Sequence, residues 1–147
     1  MAKFNSNYEW HLGGLTSSDN TAKVFYDGER NNAGYGSNPT TYIDEIGLMY
    51  PSDYGYVASP DAWITNLSSY GNSSVNTNNW LYMGLYEWII TPVSSFSYNS
   101  FRINPNGAIT YRYANNAYAI RPVFYLRSSV KYSKGNGSLN NPFRIEI

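Results

Sequence analysis

Residues 87–126 constrain the fold of this 147-residue chain more than any other segment. Between its apolar residues, positions 95–118 are mostly Asn, Tyr, Ser and Ala. Tyrosine offers a large rigid contact surface, and Ser and Asn offer adaptable hydrogen bonds, as in antibody combining sites. The segment therefore predicts a β scaffold that displays a binding surface. The scaffold residues are β-branched, aromatic or leucine, which is typical of strands: Trp88, Ile89, Ile90, Phe101, Ile103, Ile109, Ile120, Val123, Phe124 and Leu126.

Composition excludes several classes of protein. Charged residues make up 14% of the chain and the net charge is zero, so the sequence does not predict binding to nucleic acid or to an anionic membrane. The sequence contains no run of 18 or more apolar residues, so no membrane-spanning helix is predicted. Cysteine is absent, which excludes disulfides, cysteine zinc ligands and thiol catalysis. The length predicts one domain, residues 1–147, and leaves open whether residues 1–20 are the trimmed start of a longer natural chain.

Local patterns predict an α+β fold that is mostly antiparallel β, with one or two short helices. Residues 21–26 are predicted as a helix that ends at Asp27-Gly28. Ser59-Pro60 predicts the start of a helix over residues 60–70, since Ser caps helices and Pro suits the first helical position. Residues 51–53 are predicted as a turn.

The remaining regular structure is predicted as short strands. Asn104-Pro105-Asn106-Gly107 is predicted as a type I turn that joins two of these strands in a hairpin. Pro92 is expected to end the strand before it, and Trp80, Leu81, Trp88 and Ile89 are expected in the core. The predicted strand segments are residues 3–15, 42–50, 79–82, 87–91, 101–103, 108–113, 120–126 and 142–147.

Few residues suggest chemistry. Arg121 lies in an apolar context and is expected to need a carboxylate partner from Glu87, Asp53 or Glu45. His11 is the single histidine and has no nucleophile motif nearby, so a structural role is favoured over a catalytic triad. The ten acidic residues are scattered and predict no calcium cluster. We therefore expect no catalytic residue, no metal site and no cofactor.

Four segments taken together resemble a known family: IGLMYPSDYGYV (46–57), NWLY (79–82), EWIITP (87–92) and AIRPVFYLRSSVKYSKGNGSLNNPFRI (119–145). They are similar to bacterial surface and phage-associated domains of the formylglycine-generating-enzyme-like branch of the C-type lectin fold. That branch includes variable proteins diversified by retroelements. The resemblance runs from about Val24 to Ile145 and implies a C-type lectin-like fold whose C-terminal part carries a ligand-binding face.

The resemblance also implies roles for single residues. A fixed skeleton would comprise Phe101, Ile103, Gly107, Ile109, Arg121, Pro122 and Val123. The display positions that would bind ligand are Tyr98, Asn99, Arg102, Asn104, Asn106, Thr110, Tyr111, Arg112, Tyr113, Asn115, Asn116 and Tyr118. Strand alternation from Ile109 competes with this assignment, because it turns Tyr111 and Tyr113 inward and Thr110 and Arg112 outward.

The sequence departs from the family at three points. Ile120 stands where the family has Gly before Arg-Pro. The catalytic cysteines of the formylglycine-generating enzymes are missing, which removes that oxidase activity. The Glu-Pro-Asn and Trp-Asn-Asp runs of calcium-dependent sugar-binding lectins are missing too.

The expected function is a non-catalytic adhesion or receptor-recognition domain with a Tyr/Asn/Ser-rich, retroelement-diversified surface. Its partner would be a cell-surface protein or glycan, and it would act outside the cell, on a bacterial surface or a phage particle. The alternative is a structural or assembly domain of a surface appendage or phage tail, whose tyrosine strip is an oligomer interface. The two readings differ in oligomeric state, which the sequence leaves open.

Overall fold

The computed structural model describes residues 4–31, 33–71, 78–138 and 140–146. Within these ranges short strands dominate and two short α-helices accompany them, which confirms the predicted α+β class with mostly antiparallel pairing. The elements are β1 (Tyr8–His11), α1 (Ala22–Arg30), β2 (Thr41–Asp44), β3 (Ile46–Leu48), α2 (Pro51–Tyr56), β4 (Glu87–Pro92), β5 (Asn99–Ile103), β6 (Ile109–Tyr113), β7 (Ala119–Ile120), β8 (Pro122–Phe124), β9 (Lys131–Lys134) and β10 (Arg144–Glu146).

The central sheet has four strands in the order β6-β5-β4-β7. Strands β4, β5 and β6 pair antiparallel, and β7 pairs parallel to β4. The predicted turn closes the β5–β6 hairpin: the Gly107 N–H donates to the Asn104 carbonyl at 2.8 Å. Gly107 has φ of 91°, a conformation that side-chain-bearing residues rarely adopt. The predicted turn and the end of β4 at Pro92 are both confirmed.

Three two-stranded antiparallel sheets surround this centre: β1–β2, β3–β8 and β9–β10. The N-terminal residues pack on the segment after β8. Phe4 forms a β-bridge with Leu126, and the Asn5 N–H donates to the Tyr125 carbonyl at 2.9 Å. The first described residues are therefore part of the same packed structure.

The core lies between the two helices and one face of the central sheet. Phe25 of α1 meets Phe101 of β5 edge to face, with ring centroids 5.2 Å apart, and both are fully buried. Tyr54 of α2 is fully buried and donates from its hydroxyl to the Gly107 carbonyl at 2.9 Å. The helices hold this face of β5 and β6 in place, which fixes the strands that carry the expected site.

Two predictions for residues 21–53, one of a helix and one of a turn, need correction. Helix α1 runs to Arg30 instead of ending at Asp27-Gly28. Gly28 lies inside the helix, where it makes room for Leu15: a Cβ at Gly28 would lie 2.5 Å from a Leu15 methyl group. Residues 51–53 form the first turn of α2 and not a separate turn, with Pro51 at the helix start and Asp53 in the first turn.

The predicted helix over residues 60–70 is wrong. The segment forms two 3₁₀ turns, Pro60–Ala62 and Leu67–Ser69. Asn66 is extended between them, with ψ of 138°, and the Leu67 N–H donates to the Asn20 carbonyl at 2.8 Å. This bond to a residue far away in the sequence replaces the bond that the Leu67 N–H would make inside a helix.

The last predictions to correct concern the core and the C-terminal strands. Trp80 is 77% exposed, whereas Ile89 is 1% exposed and lies in the core as expected. The predicted strand over residues 120–126 is divided at Arg121, because β7 pairs with β4 and β8 pairs with β3. Strand β9 was not predicted, and its partner β10 lies within the predicted last strand.

Candidate functional site

Arg121 fastens the C-terminal part of the chain to the central sheet. Its Nε donates to Glu87 Oε1 and its Nη2 to Glu87 Oε2, both at 2.6 Å. Nη2 also donates to the Leu81 carbonyl at 2.8 Å. This bidentate pair confirms that Arg121 needs a carboxylate, and it selects Glu87 from the three candidates. The ion pair holds the chain against β4 at the end of β7, three residues after Tyr118.

Strand register divides the expected display positions between the two faces of the sheet. Asn99 pairs with Tyr113, and Phe101 with Tyr111, so these side chains share the face that carries the core. Arg102 pairs with Thr110 and points to the other face. The twelve positions therefore form two surfaces and a connecting turn, not one continuous strip.

An open groove lies at the end of the β5–β6 hairpin away from the turn, where the core face continues beyond the helices. Its volume is about 260 Å³. Tyr98 and Tyr113 contact each other with ring centroids 5.2 Å apart, and Phe96 lies 6.4 Å from Tyr111. We call this the aromatic groove, and its lining residues are Phe96, Tyr98, Asn99, Tyr111, Arg112 and Tyr113.

The groove presents exposed rings on a fixed base. Tyr98 is 56% exposed and Tyr113 55% exposed. Tyr111 is half-buried and meets Phe101 edge to face at 5.9 Å, so it joins the groove to the core. Strand alternation correctly predicts that Tyr111 points inward. Tyr113 lies on the same face of the sheet, but at a point beyond the core, where its ring is exposed. Phe96 was not predicted; its place in the Ser/Tyr-rich window, two residues before Tyr98, was the available signal.

The groove also offers polar groups. Asn99 Oδ1 is buried and has no hydrogen-bond partner in the structure. Arg112 is exposed and forms no ion pair among the residues described. The four aromatic rings can bind a ligand by stacking, and Arg112, between Tyr111 and Tyr113 in β6, borders the groove.

Arg102 occupies a different environment on the other face. It is 5% exposed, so it is not displayed as expected. Its Cζ lies 4.3 Å from the Tyr86 ring centroid and 4.7 Å from that of Tyr118. Trp88, opposite Arg102 in the register, packs on Tyr118 at 4.9 Å. We call Arg102, Tyr86, Trp88 and Tyr118 the arginine cage. Tyr86 and Trp88 were not predicted as site residues, because nothing local places them over Arg102.

The remaining display positions hold turns together. Thr110 Oγ1 donates to Asn104 Oδ1 at 3.1 Å, and the Ala108 N–H donates to Asn106 Oδ1 at 3.1 Å. Asn116 Nδ2 donates to the Tyr113 carbonyl at 2.8 Å. Asn106, Asn115 and Asn116 are exposed. These amides support the hairpin turn and the loop after β6, and they leave part of their surface open.

The described residues also bear on metal binding and on membrane insertion. Among the described residues, no group of three or more His, Asp or Glu side chains could hold a metal ion. No helix in the described ranges is both long and apolar enough to cross a membrane. His11 lies in β1, where its backbone N–H donates to the Tyr50 hydroxyl at 2.7 Å.

A buried acid lies between the helices, away from the groove. Glu29 is fully buried and accepts hydrogen bonds from the Ser52 N–H at 3.0 Å, the Ser52 hydroxyl at 2.5 Å and Arg30 Nη1 at 2.9 Å. These donors favour the charged form, but burial outweighs them and raises the pKa of Glu29 from 4.5 to about 7. This group predicts a pH-dependent stability.

Comparison of the chain with protein-family models, with curated proteins and with solved structures finds no match. The fold and its surfaces therefore define the class: an α+β domain, mostly of antiparallel sheet, with an aromatic groove at the end of its central hairpin.

Proposed function

We propose that this chain is a non-catalytic ligand-binding domain that recognises a cell-surface protein or glycan. The observation that carries the proposal is the aromatic groove. Tyr98 and Tyr113 expose more than half of their surface and lie side by side with ring centroids 5.2 Å apart, and a contiguous exposed apolar patch marks an interaction site. Both belong to or adjoin the β5–β6 hairpin, whose backbone is held by the register with β4 and by the core beneath Phe101.

Rigid rings suit recognition because little conformational entropy is lost when they are covered. A tyrosine has two side-chain torsions and can bury about 150–250 Å². The groove is open and shallow, so it suits an extended surface or a chain of sugar rings better than an engulfed small substrate. The hydroxyls of the exposed rings Tyr98 and Tyr113 would supply hydrogen bonds that orient the ligand.

The sequence resemblance supports a more specific form of the proposal. It implies a C-type lectin-like fold and a location outside the cell, on a bacterial surface or a phage particle, where the domain would act in adhesion or receptor recognition. The same resemblance suggests that a retroelement diversifies the display positions. Sequencing the gene from many isolates of one population tests this part: substitutions should concentrate at the display positions and at adenine-bearing codons.

Binding itself is tested with variants matched in exposure. Tyr98→Ala with Tyr113→Ala removes two groove rings, while Tyr42→Ala removes a ring that is 58% exposed on β2, outside the groove. Labelled protein is applied to a glycan array and to a panel of intact bacterial and animal cells. Binding that survives Tyr42→Ala and is lost in the double variant supports the proposal. Binding that survives both variants contradicts it, and the array separates a glycan from a protein ligand.

The alternative is an assembly domain that uses the same surface as an oligomer interface. Exposed rings favour it as well, because they are enriched at protein interfaces. Mass measured by light scattering at micromolar concentration separates the two: a monomer supports recognition. An oligomer that dissociates in the Tyr98→Ala/Tyr113→Ala variant supports assembly.

A further inference from the structure

The arginine cage contains a buried cation without an anion. Arg102 is 5% exposed, and its Nε and Nη1 have no hydrogen-bond partner in the structure. Burying N–H groups without acceptors is unfavourable, more so when they carry charge. The faces of Tyr86 and Tyr118 offset part of that cost through cation–π contact, but they accept no conventional hydrogen bond.

Two other arginines of the chain have carboxylate partners. Arg121, on the same sheet, binds both oxygens of Glu87, and Arg30 binds the buried carboxylate of Glu29. Arg102 pairs in the register with Trp88 and Thr110, neither of which carries charge. The fold thus places a desolvated guanidinium where the described residues supply no carboxylate.

The cage has a side that can open. Tyr86 is 45% exposed and ends an exposed loop that includes Met83 and Leu85. The Tyr86 ring stacks on Tyr118 with ring centroids 5.2 Å apart, and the Ala119 N–H donates to the Tyr86 carbonyl at 2.9 Å, so opening would break a ring contact while the backbone stays in place. Rotation of the Tyr86 ring toward solvent would uncover the guanidinium while Tyr118 and Trp88 stay packed on each other.

We infer that Arg102 binds an anionic oxygen group of the ligand, a carboxylate or another oxyanion, which takes the place of the Tyr86 ring. The anion would accept hydrogen bonds from the unpartnered guanidinium nitrogens in a site that largely excludes water, where charge-assisted bonds are strong. This inference rests on the recognition function proposed above and requires a ligand, such as a protein or a glycan chain, that reaches both faces of the central sheet. The cage and the aromatic groove lie on opposite faces of the sheet, so they are tested separately.

The probes are sodium acetate, sodium glucuronate and inorganic phosphate, each compared with sodium chloride at equal ionic strength. The measurement is the melting temperature, followed by titration calorimetry. An anion at about ten times its Kd should raise the melting temperature of the wild-type protein by about 4 °C. A rise in melting temperature with acetate and glucuronate but not with phosphate would identify a carboxylate site. An equal rise with phosphate would identify a general oxyanion site.

Three variants give the result its meaning. Arg102→Met keeps the unbranched aliphatic part of the side chain without its charge and should abolish the anion response. Arg144→Met removes one charge from the exposed strand β10, outside the cage and the groove, and should keep the response, which excludes a net-charge effect. Tyr86→Ala leaves Arg102 in place and opens the site, so it should bind the anions about 3–10 times more tightly, since no ring has to be displaced.

The inference is overturned if Arg102→Met responds to the anions like the wild type, or if neither the wild type nor Tyr86→Ala responds to any of them. The responses of the wild type and of Tyr86→Ala keep the test valid even if Arg102→Met fails to fold. Loss of anion binding in Arg102→Met with unchanged dependence of cell or glycan binding on Tyr98 and Tyr113 supports both proposals. Failure of the anion test alone leaves the groove proposal standing.

Discussion

Replacing Glu29 by Gln should remove a large part of the pH dependence of stability. The Glu29 carboxyl has a pKa raised from 4.5 to about 7 in the folded chain, because it is buried. Between those two values the folded state binds more protons than the unfolded state. The free energy of unfolding therefore falls as pH rises from about 4.5 to 7, and it is fully retained only below this window.

The size of this effect follows from the two pKa values of Glu29. A change from 4.5 to about 7 corresponds to about 3 kcal/mol of stability lost across the window. Glutamine keeps an oxygen that can accept from the Ser52 N–H and carries no titratable proton. The Glu29→Gln protein should therefore have a nearly flat stability over the same range, apart from groups common to both proteins.

The assay is urea unfolding followed by tryptophan fluorescence at several pH values between 4.5 and 8. Asp53→Asn is the matched control, because burial also raises the pKa of Asp53, on the neighbouring helix. It should leave the Glu29-dependent part of the slope in place. Equal pH slopes in the wild type and Glu29→Gln would refute the argument that burial outweighs the donors from Ser52 and Arg30.

Three further predictions follow from packing, each measured by urea unfolding. Arg121→Met leaves the carboxylate of Glu87, which is 4% exposed, without its cation and should cost about 3–5 kcal/mol; adding Glu87→Leu should recover most of the loss. Gly55→Ala should cost about 1–3 kcal/mol, because its Cβ would lie 2.6 Å from the Cβ of Ala22. Trp80→Ser should change stability by no more than about 0.5 kcal/mol, because Trp80 is 77% exposed; a larger loss would mean that Trp80 is packed.

The sequence was informative where structure depends on local chemistry. The backbone preferences of Asn104-Pro105-Asn106-Gly107 are enough to form the turn, so the hairpin could be predicted. The pairing of Arg121 with a carboxylate also follows from its own chemistry, because a carboxylate offsets the cost of partly burying a guanidinium. The identity of that carboxylate does not follow, since Glu87 meets Arg121 only through the parallel pairing of β4 with β7.

Several wrong predictions share one cause, which is long-range packing. Gly28 is a helix-ending signal in the sequence, yet in the fold it makes room for Leu15 inside α1. The helical pattern of residues 60–70 is interrupted because the Leu67 N–H bonds to Asn20. The burial of Arg102 depends on Tyr86 and on Tyr118, each 16 residues away along the chain, so no local window shows it.

The contacts of the display positions indicate how far the surface can vary without loss of the fold. Tyr98 and Tyr113 contact each other at 5.2 Å and are more than half exposed, so changing them leaves the core packing intact. Tyr111 meets the buried Phe101, and Arg102 is 5% exposed within its cage, so changes at either position disturb the scaffold. Diversification of this surface should therefore concentrate at the exposed positions Tyr98, Asn106, Arg112, Tyr113, Asn115 and Asn116 and spare Arg102 and Tyr111. Equal variation at buried and exposed positions among natural sequences would contradict this separation of recognition from fold.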